Sequence, residues 1–337
     1  MTTKLDIPRD LIEDEILPRV SITSLRAVRS TCKEWEASTK TQILEQRRLI
    51  PIIKQVSILD QIEISQVFHC AGLLLCVIKY NKGLVVWNPY IGKIKWIQPR
   101  EKYESFDVYA LGHDKNRNHK ILRIFFHNHR VLGYEIYNFS SDSWKVVYVI
   151  VNHEWDMWFR QQPGVSLNGN TCFLAEDIEE EFLLCFDFTT ERFGPRLPLP
   201  YDEHNVSLSC VGDEKLAVLY QRSGICHVLE IWVTNKIDPS GVSISWSKFL
   251  GRFDGRVKVD INGGSFFIDE EKEVAVILNI DKPKRNKTRR YQTAHIIGQV
   301  GYLKSLSIGE ALTTDESEET YCFPLVCSSY VPSLVQL

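Results

Sequence analysis

The sequence predicts an α+β protein in which a small N-terminal helical element precedes a large all-β body. Residues 8–48 show the apolar spacing of short helices, whereas from about residue 50 short runs of β-branched and aromatic residues alternate with turn residues. A length of 337 residues allows two domains, and 44% apolar residues are enough for a large core. We therefore expect a helical domain at 1–48 and a β domain at 49–337.

The N-terminal segment carries the signals of three short helices. Pro8 suits the first turn of a helix, and the acidic residues after it favour the positive end of the helix dipole. Pro18 ends or kinks this helix, and a second apolar stripe runs from Leu25 to Trp35 at helical steps. An element of this size rarely stabilises itself. Its apolar face must therefore pack on the rest of the chain or on a partner.

The β body repeats with a period of roughly 45–50 residues. A strand with an aromatic residue, a turn and a second aromatic residue recur at Trp87 to Trp96, Tyr137 to Trp144, Phe186 to Phe193 and Trp232 to Trp246. This period and about four strands are typical of one β-propeller blade. Dividing the residues after position 50 by the period predicts a kelch-like array of about six blades. The alternative is a β-sandwich or two stacked barrels with accidental aromatic spacing.

Charge and cysteine content restrict the environment of the protein. A net charge of −3 is too small for the whole surface to hold nucleic acid or an anionic membrane, and no apolar run is long enough to span a bilayer. The nine cysteines are scattered and mostly lie in apolar runs, so we expect reduced core thiols and no disulfide framework. In the absence of a secretion-signal pattern, we expect a cytoplasmic or nuclear protein, or both.

The sequence predicts no catalytic, cofactor-binding or metal-binding site. A phosphate loop, a nucleophile elbow and a Cys-x-x-Cys pair are all missing from it. The segment from His153 fails the metalloprotease pattern, because Met157 stands where the second histidine belongs. We therefore expect a protein without enzymatic activity. The alternative enzyme would be a propeller glycosidase, whose carboxylates meet across the propeller axis.

Four segments of the β body are candidates for binding a protein target, namely 153–163, 176–181, 200–205 and 282–290. The first has the aromatic and arginine content of interface hot spots, and its candidate target-binding residues are Trp155, Met157, Trp158, Phe159 and Arg160. The alternative is that this segment folds back into the core. The basic segment 282–290 is either an exposed loop or a nuclear import signal, and without interleaved aromatic residues we do not expect it to bind nucleic acid.

Two parts of the chain resemble a known protein family. The segment from Ile7-Pro8-Arg9-Asp10-Leu11 to Lys33-Glu34-Trp35 resembles an F-box. The body resembles the F-box-associated domain of plant F-box proteins through Gly72-Leu73-Leu74-Leu75-Cys76, Val86-Trp87-Asn88-Pro89, Tyr109-Ala110-Leu111-Gly112, Phe186-Asp187-Phe188-Thr189 and Glu230-Ile231-Trp232-Val233. Together the two resemblances cover nearly the whole chain.

The resemblance implies a substrate-recognition subunit of a Skp-cullin-F-box E3 ubiquitin ligase. The helical head would dock on a Skp-type adaptor and through it on a cullin, while the β body would hold an unidentified target protein. Carried over by position, the adaptor-facing residues are Ile7, Pro8, Leu11, Ile16, Leu17, Val20, Leu25, Val28, Cys32 and Trp35. The alternative function is a protein-binding scaffold outside the ligase, whose helical cap packs on its own β body.

Overall fold

A computed structural model shows a five-bladed β-propeller. The residues it describes are 62, 64–78, 83–98, 100, 107–127, 130–148, 157–159, 162–201, 206–212, 214–222, 228–235, 244–253, 265–280, 290–298, 301 and 303–311. Within these ranges the protein is all-β. The predicted helical domain at 1–48 lies outside them and stays a prediction.

Each blade is an antiparallel sheet whose strands follow one another in the sequence. Blade 1 contains β1 (Ile64–Cys70), β2 (Leu73–Ile78), β3 (Leu84–Asn88) and β4 (Lys93–Ile97). Blade 2 contains β5 (Val108–His113), β6 (His119–His127), β7 (Arg130–Asn138) and β8 (Ser143–Tyr148). Blade 3 contains β9 (Trp158–Phe159), β10 (Val165–Leu167), β11 (Asn170–Glu176), β12 (Glu181–Asp187) and β13 (Arg192–Pro198). Blade 4 contains β14 (Val206–Val211), β15 (Lys215–Arg222), β16 (Val228–Thr234) and β17 (Trp246–Phe253). Blade 5 contains β18 (Ser265–Asp269), β19 (Val274–Ile280), β20 (Arg290–Gly298) and β21 (Leu303–Ala311).

The inner strands are β1, β5, β10, β14 and β18. Each is the first strand of its blade, except that in blade 3 the two-residue β9 precedes β10. These strands contact each other from blade to blade, β1 with β5, β5 with β10, β10 with β14, and β14 with β18. The turn after each inner strand leaves from one end of the propeller, which we name the first-turn end. The second and third long strands of each blade are joined at the opposite end, where the chain also passes to the next blade. We name this the connection end.

The hydrophobic core lies between the blades. Separate buried clusters join blade 1 to blade 2, blade 2 to blade 3, blade 3 to blade 4 and blade 4 to blade 5. The second strands are buried on both faces, which explains why β2 and β19 are almost continuously apolar. Large side chains at these interfaces, such as Tyr109 and Phe186, are almost completely removed from water. Burial of this kind stabilises the fold by about 2 kcal/mol for each large apolar side chain.

The third strands of blades 1 to 3 end in a similar way. Their last residues are Asn88, Asn138 and Asp187. The side-chain oxygen of each accepts a hydrogen bond from the backbone N–H two residues later, at 3.0, 2.9 and 2.8 Å. This bond closes the turn into the outer strand, as Asn and Asp do in Asx turns. The aromatic-turn-aromatic repeat predicted from the sequence is therefore the hairpin between the third strand and the outer strand of a blade.

Two tryptophans of outer strands connect neighbouring blades. The indole N–H of Trp144 in blade 2 donates to the carbonyl of Gln98 after blade 1, at 3.0 Å. The indole N–H of Trp246 in blade 4 donates to the carbonyl of Pro198 at the end of blade 3, at 2.9 Å. Both indoles also pack against interblade core clusters. These tryptophans thus combine apolar burial with a satisfied polar group.

A charged cluster lies inside the interface between blades 1 and 2. The guanidinium of Arg123 donates from Nε to Asp107 at 2.9 Å and from Nη1 to Glu135 at 2.7 Å. Arg123 is only 4% exposed, and both carboxylates are also buried. Burial opposes the charge of Arg123, but Asp107 and Glu135 outweigh this effect and raise its pKa. The Arg123 guanidinium is therefore charged at neutral pH, and the cluster needs all three side chains to hold it.

The turn between β12 and β13 is tied to blade 2 through Glu191. Its carboxylate accepts hydrogen bonds from Lys120 at 2.9 Å and Lys145 at 2.6 Å, and the hydroxyl of Tyr134 donates to its carbonyl at 3.0 Å. Burial opposes the charge of Glu191, but the two lysines outweigh it and lower the pKa of this carboxyl below its usual value. Lys120 is itself buried and also donates to the carbonyl of Phe188 at 3.0 Å. Blades 2 and 3 are thus joined by polar as well as apolar contacts.

Blades 1 to 3 approach one another closely at the first-turn end. The backbone N–H of His113 donates to the carbonyl of Gly169 at 2.9 Å. A Cβ atom on Gly112 would lie 2.1 Å from the ring of Phe188 and 2.4 Å from the Gly169 carbonyl oxygen. This backbone approach requires glycine at position 112, which explains the glycine that ends the Tyr109–Gly112 motif.

Three histidines lie at the same end, where the first turns of blades 1 and 2 meet. The Nε2 of His69 accepts a hydrogen bond from the N–H of Gly72 at 3.0 Å, and the rings of His113 and His119 pack edge to face. Burial, followed by the nearby His119, lowers the pKa of His69 to about 4. Burial, followed by His113 and Arg117, lowers the pKa of His119 to about 4. Both buried rings are therefore neutral at pH 7.

Two sequence-based expectations need correction. The prediction of six blades is wrong, because the period of about 50 residues holds but the five described blades span only residues 64–311. The expectation of reduced thiols is wrong for Cys172 and Cys185, which form a disulfide between β11 and β12. Spacing in the sequence does not reveal that these two cysteines are directly opposite in the sheet. Cys76, by contrast, is a buried thiol as expected, and burial raises its pKa to about 12.

The buried histidines predict a loss of stability in mild acid. Because the folded pKa values of His69 and His119 lie below the unfolded value of 6.5, their contribution is complete above pH 6.5 and decreases as the pH falls to about 4. Such a shift corresponds to roughly 3 kcal/mol for one histidine. Urea unfolding measured from pH 7 to pH 4 should show this slope, and His119→Gln should reduce it. Equal slopes in the wild-type protein and in His119→Gln would contradict the assignment.

The charged cluster predicts a large difference between two salt-bridge variants. Arg123→Gln leaves two buried carboxylates without their main cation and should lower the free energy of unfolding by about 3–5 kcal/mol. Lys215→Gln breaks the exposed ion pair with Glu270, at 2.8 Å, and should cost at most about 1 kcal/mol. Chemical unfolding at pH 7 measures both. Similar losses for the two variants would show that Arg123 has no special structural role.

Candidate recognition surface

All the predicted adaptor-facing residues lie outside the described part of the chain. They are Ile7, Pro8, Leu11, Ile16, Leu17, Val20, Leu25, Val28, Cys32 and Trp35. The assignment of these residues to an adaptor stays a prediction. The structure bears instead on the second predicted surface, which is the one that would hold a target.

The strands that flank the four predicted target-binding segments have their adjoining ends at one end of the propeller. Segments 153–163 and 200–205 lie in the sequence between blades 2 and 3 and between blades 3 and 4. Segments 176–181 and 282–290 lie in the sequence between the second and third long strands of blades 3 and 5. The described strand ends on either side of all four segments are therefore at the connection end. Spacing along the sequence gives no indication of this, because the segments are far apart in the chain.

The aromatic segment before blade 3 is partly a core element. Its strand β9 pairs with the end of β11, with Phe159 opposite Ala175 and Trp158 opposite Glu176. Met157 is 4% exposed and Phe159 is 9% exposed, and both belong to the cluster between blades 2 and 3. These two side chains therefore follow the alternative in which the segment folds back into the core. Sequence composition could not separate the two outcomes, because the same aromatic residues are common in cores and in hot spots.

The rest of that segment is less completely described. Trp155 and Arg160 lie outside the described residues, and of Trp158 only the backbone placement in β9 is described. Their proposed contact with a target stays a prediction. The surface must therefore be built from other side chains at the connection end.

Two exposed apolar side chains at the connection end come from blade 2. Tyr148 at the end of β8 is 70% exposed, and Leu132 near the start of β7 is 39% exposed. The Tyr148 ring packs edge to face on Phe125, with ring centroids 6.2 Å apart. Gly133 in β7 pairs with Phe125 in β6 on one side and with Tyr148 in β8 on the other. A Cβ atom on Gly133 would lie 2.9 Å from the Phe125 ring. Glycine thus permits the packing that presents Tyr148 to solvent.

The aromatic pair rests on the charged cluster described above. The guanidinium carbon of Arg123 lies 6.0 Å from the centroid of the Phe125 ring. Arg100 reaches the other side of the cluster, with its Nε 3.6 Å from Glu135. An aromatic ring above a fixed cation gains a small electrostatic stabilisation. The exposed Tyr148 is therefore supported by side chains that are themselves held by buried ion pairs.

The acidic turn of blade 3 contributes a second exposed element. The carboxylate of Asp177 accepts hydrogen bonds from the N–H groups of Glu179 and Glu180, at 2.8 and 2.9 Å, and forms an ion pair with Arg196. Burial opposes its charge, but these three donors outweigh burial and lower the pKa of Asp177. Ile178 at the tip is 92% exposed. The turn is therefore an ordered acidic loop with one apolar side chain at its apex.

The composition of this surface is suited to binding a protein. It combines exposed aromatic and aliphatic side chains with acidic residues, which suits a protein segment that carries apolar and basic residues. In the described ranges no three His, Cys, Asp or Glu side chains are grouped as metal ligands. Nowhere in those ranges is there a helix long and apolar enough to cross a membrane.

The sequence identified the segment that contains Ile178 but not Tyr148, the other main part of the exposed surface. Period-two alternation along β8 assigns Tyr148 to the same face as Trp144, which packs against the core. By that pattern Tyr148 would be buried. It is exposed because it is the last residue of an outer strand at the connection end. Ile178 lies in the predicted segment 176–181, where a single apolar residue within an acidic turn has nothing in its own segment to cover it.

Comparison with known proteins agrees with this architecture. The family described as the F-box associated β-propeller domain matches residues 23–337. An F-box/kelch-repeat protein of Arabidopsis thaliana is 51% identical over 390 aligned positions, covering 100% of this chain and 97% of the relative. Two putative F-box proteins of the same plant are 47% and 46% identical, covering 100% of this chain and 100% and 96% of the relatives. The chain therefore belongs to the family of proteins with an F-box associated β-propeller domain.

Proposed function

We propose that this protein is the substrate-recognition subunit of a Skp-cullin-F-box E3 ubiquitin ligase and has no catalytic activity of its own. One observation carries the proposal: relatives named as F-box proteins align with the whole of this chain, including residues 1–48. The F-box-like pattern from Ile7 to Trp35 lies in that segment. The protein would hold its target near a conjugating enzyme bound elsewhere in the complex and so raise the effective concentration of target lysines.

The propeller supports this division of roles. At its first-turn end, described hydrogen bonds join blades 2 and 3, including His113 to Gly169 and Lys120 to Phe188. Its connection end presents Tyr148 and Ile178 on ordered supports. A rigid body with exposed connections is the usual arrangement for recognition by loops. We therefore assign target binding to the connection end of blades 2 and 3.

A protein-binding scaffold outside the ligase is the second candidate function. The same propeller surface would serve it, and the helical head would pack on the β body of its own chain. The two candidates differ in one measurable property. A ligase subunit must retain both a Skp-type adaptor and a cullin, whereas a scaffold of this kind retains neither.

The adaptor test uses the full chain co-expressed with a Skp-type adaptor and a cullin. The wild-type protein should co-purify with both partners. Leu25→Asp or Val28→Asp places an unpaired charge in the proposed apolar contact and should weaken adaptor binding about 100-fold or more. Arg26→Ala, on the opposite side of the predicted helix, is the matched control and should have little effect. Wild-type protein that retains no adaptor would favour the scaffold function, and equal effects of all three variants would show that the wrong face was chosen.

The target test compares two exposed tyrosines at opposite ends of the propeller. Tyr148→Ala should weaken binding of co-purifying target proteins by on the order of 2 kcal/mol, because exposed aromatic side chains are frequent hot spots. Tyr90→Ala, in the turn after β3 and 46% exposed, is the matched control. Quantitative mass spectrometry of proteins captured with each variant measures the effect, and melting temperatures should be unchanged for both. Loss of the same proteins with Tyr90→Ala, or retention of all of them with Tyr148→Ala, would place the binding surface elsewhere.

A further inference from the structure

Cys172 and Cys185 are held opposite each other by the backbone of blade 3. Cys172 in β11 pairs directly with Cys185 in β12, and the two Cα atoms are 4.0 Å apart. The pairing of these strands continues without a register shift from Thr171–Phe186 to Glu176–Glu181. The ladder on both sides of the pair therefore positions the two thiols, whether or not the sulfur atoms are bonded.

The two cysteines differ in their access to solvent. Cys172 is 1% exposed, whereas Cys185 is half-buried. On the other side of Cys185, the register between β12 and β13 shifts, so that Gly194 and Pro195 together lie opposite this one residue. Both bulge residues are exposed, and proline has no N–H to donate to the ladder. The bulge thus leaves a thinner cover over Cys185 than over Cys172.

The other described cysteines lack this arrangement. Cys70, Cys76 and Cys210 are buried and are not disulfide-bonded. Burial raises the pKa of Cys76 to about 12, which keeps that thiol protonated and unreactive. Among the described cysteines, only the Cys172–Cys185 pair combines a bonded partner with a residue that is half-buried rather than buried.

We infer that Cys172 and Cys185 form a reversible redox site that reacts with peroxides and is reset by dithiol reductants. The site lies on the face of blade 3 that packs against blade 4. It goes beyond target recognition and does not depend on the ligase function.

The reaction balances as two thiols and one hydrogen peroxide giving one disulfide and two water molecules. Cys185 first releases its thiol proton, and its thiolate sulfur attacks the peroxide and loses two electrons to the O–O bond. The hydroxide that leaves takes up the released proton, so that a sulfenic acid and one water form. The thiol of Cys172 then attacks this sulfur, the second water leaves, and the disulfide bond is made. A dithiol reductant supplies two electrons and two protons to restore both thiols.

Oxidation changes stability more than structure. Because the ladder already holds the two residues together, the folded state needs little rearrangement when the bond forms. The bond instead restricts the unfolded chain by closing a loop with a sequence separation of 13 residues. A loop of that size predicts a melting temperature about 4 °C higher in the oxidised protein.

The test uses the purified full chain, reduced with dithiothreitol or oxidised with hydrogen peroxide. Peroxide should lower the intact mass by about 2 Da and produce a linked Cys172–Cys185 peptide, and dithiothreitol should reverse both changes without unfolding. Alkylation of both cysteines after peroxide treatment would overturn the inference. So would a linked pair that resists dithiothreitol in the folded protein, because the disulfide would then be permanent. Both readouts use the wild-type protein and do not depend on a variant that folds.

Two variants separate the redox site from general effects of oxidation. Cys185→Ala should remove the difference in melting temperature between reduced and oxidised protein. Cys76→Ala is the matched control, because it removes a buried thiol that has no disulfide partner. It should lower the melting temperature of both forms alike and preserve their difference. A difference that persists in Cys185→Ala would show that another group is responsible, and the inference would fail.

Discussion

The requirement to cover both faces of every sheet governs this structure. Strands such as β2 and β19 are apolar almost throughout, so a single blade exposes a hydrophobic surface on either side. Among the described residues, four buried clusters join the successive blades, and each of these clusters draws its residues from two adjacent sheets. Removing this apolar area from water is the largest favourable contribution to folding. The blades therefore stabilise one another as an array, and the core is formed mainly by strand residues rather than by the turns between them.

Polar groups between the blades decide how the two ends of the propeller differ. At the first-turn end, Glu191 accepts hydrogen bonds from lysines of blade 2, and the backbone of blade 2 bonds to Gly169. These contacts and the close approach at Gly112 join blades 2 and 3 tightly at this end. At the connection end, the buried Arg123 cluster fixes the strands while Tyr148 extends beyond them. The two ends therefore differ, because described hydrogen bonds join blades 2 and 3 at the first-turn end and Tyr148 is exposed at the connection end.

Blade 3 has a central position in this arrangement. It provides the acidic turn with Ile178, it accepts Phe159 into its interface with blade 2, and it carries the Cys172–Cys185 pair on the side of blade 4. The strands β11 and β12 take part in all three features. A change in the cross-link between these strands therefore acts on the same hairpin that presents the exposed turn, without an intervening flexible element.

Much of the fold could be predicted from local patterns, whereas only part of the surface could. The aromatic repeat identified the third and outer strands of four blades, and the period per blade was correct. The blade count was not, because a period does not state where the first blade begins or the last one ends. The burial of Met157 and Phe159 was also unpredictable, since their composition suits a core and a hot spot equally well. Their burial depends on β9 pairing with β11, a contact between distant parts of the chain.

The sequence by itself determined the β-propeller architecture, the size of a blade and the family, because each depends on residue types at short and regular spacing. Only the tertiary structure decided which faces are covered, how the two ends differ and which cysteines meet. Those properties depend on strand register and on the identity of the neighbouring blade. A register shift of one residue reverses every side chain of a strand, and no local pattern specifies the partner. For this reason Cys172 faces Cys185 in the folded protein, although spacing in the sequence did not indicate this pairing.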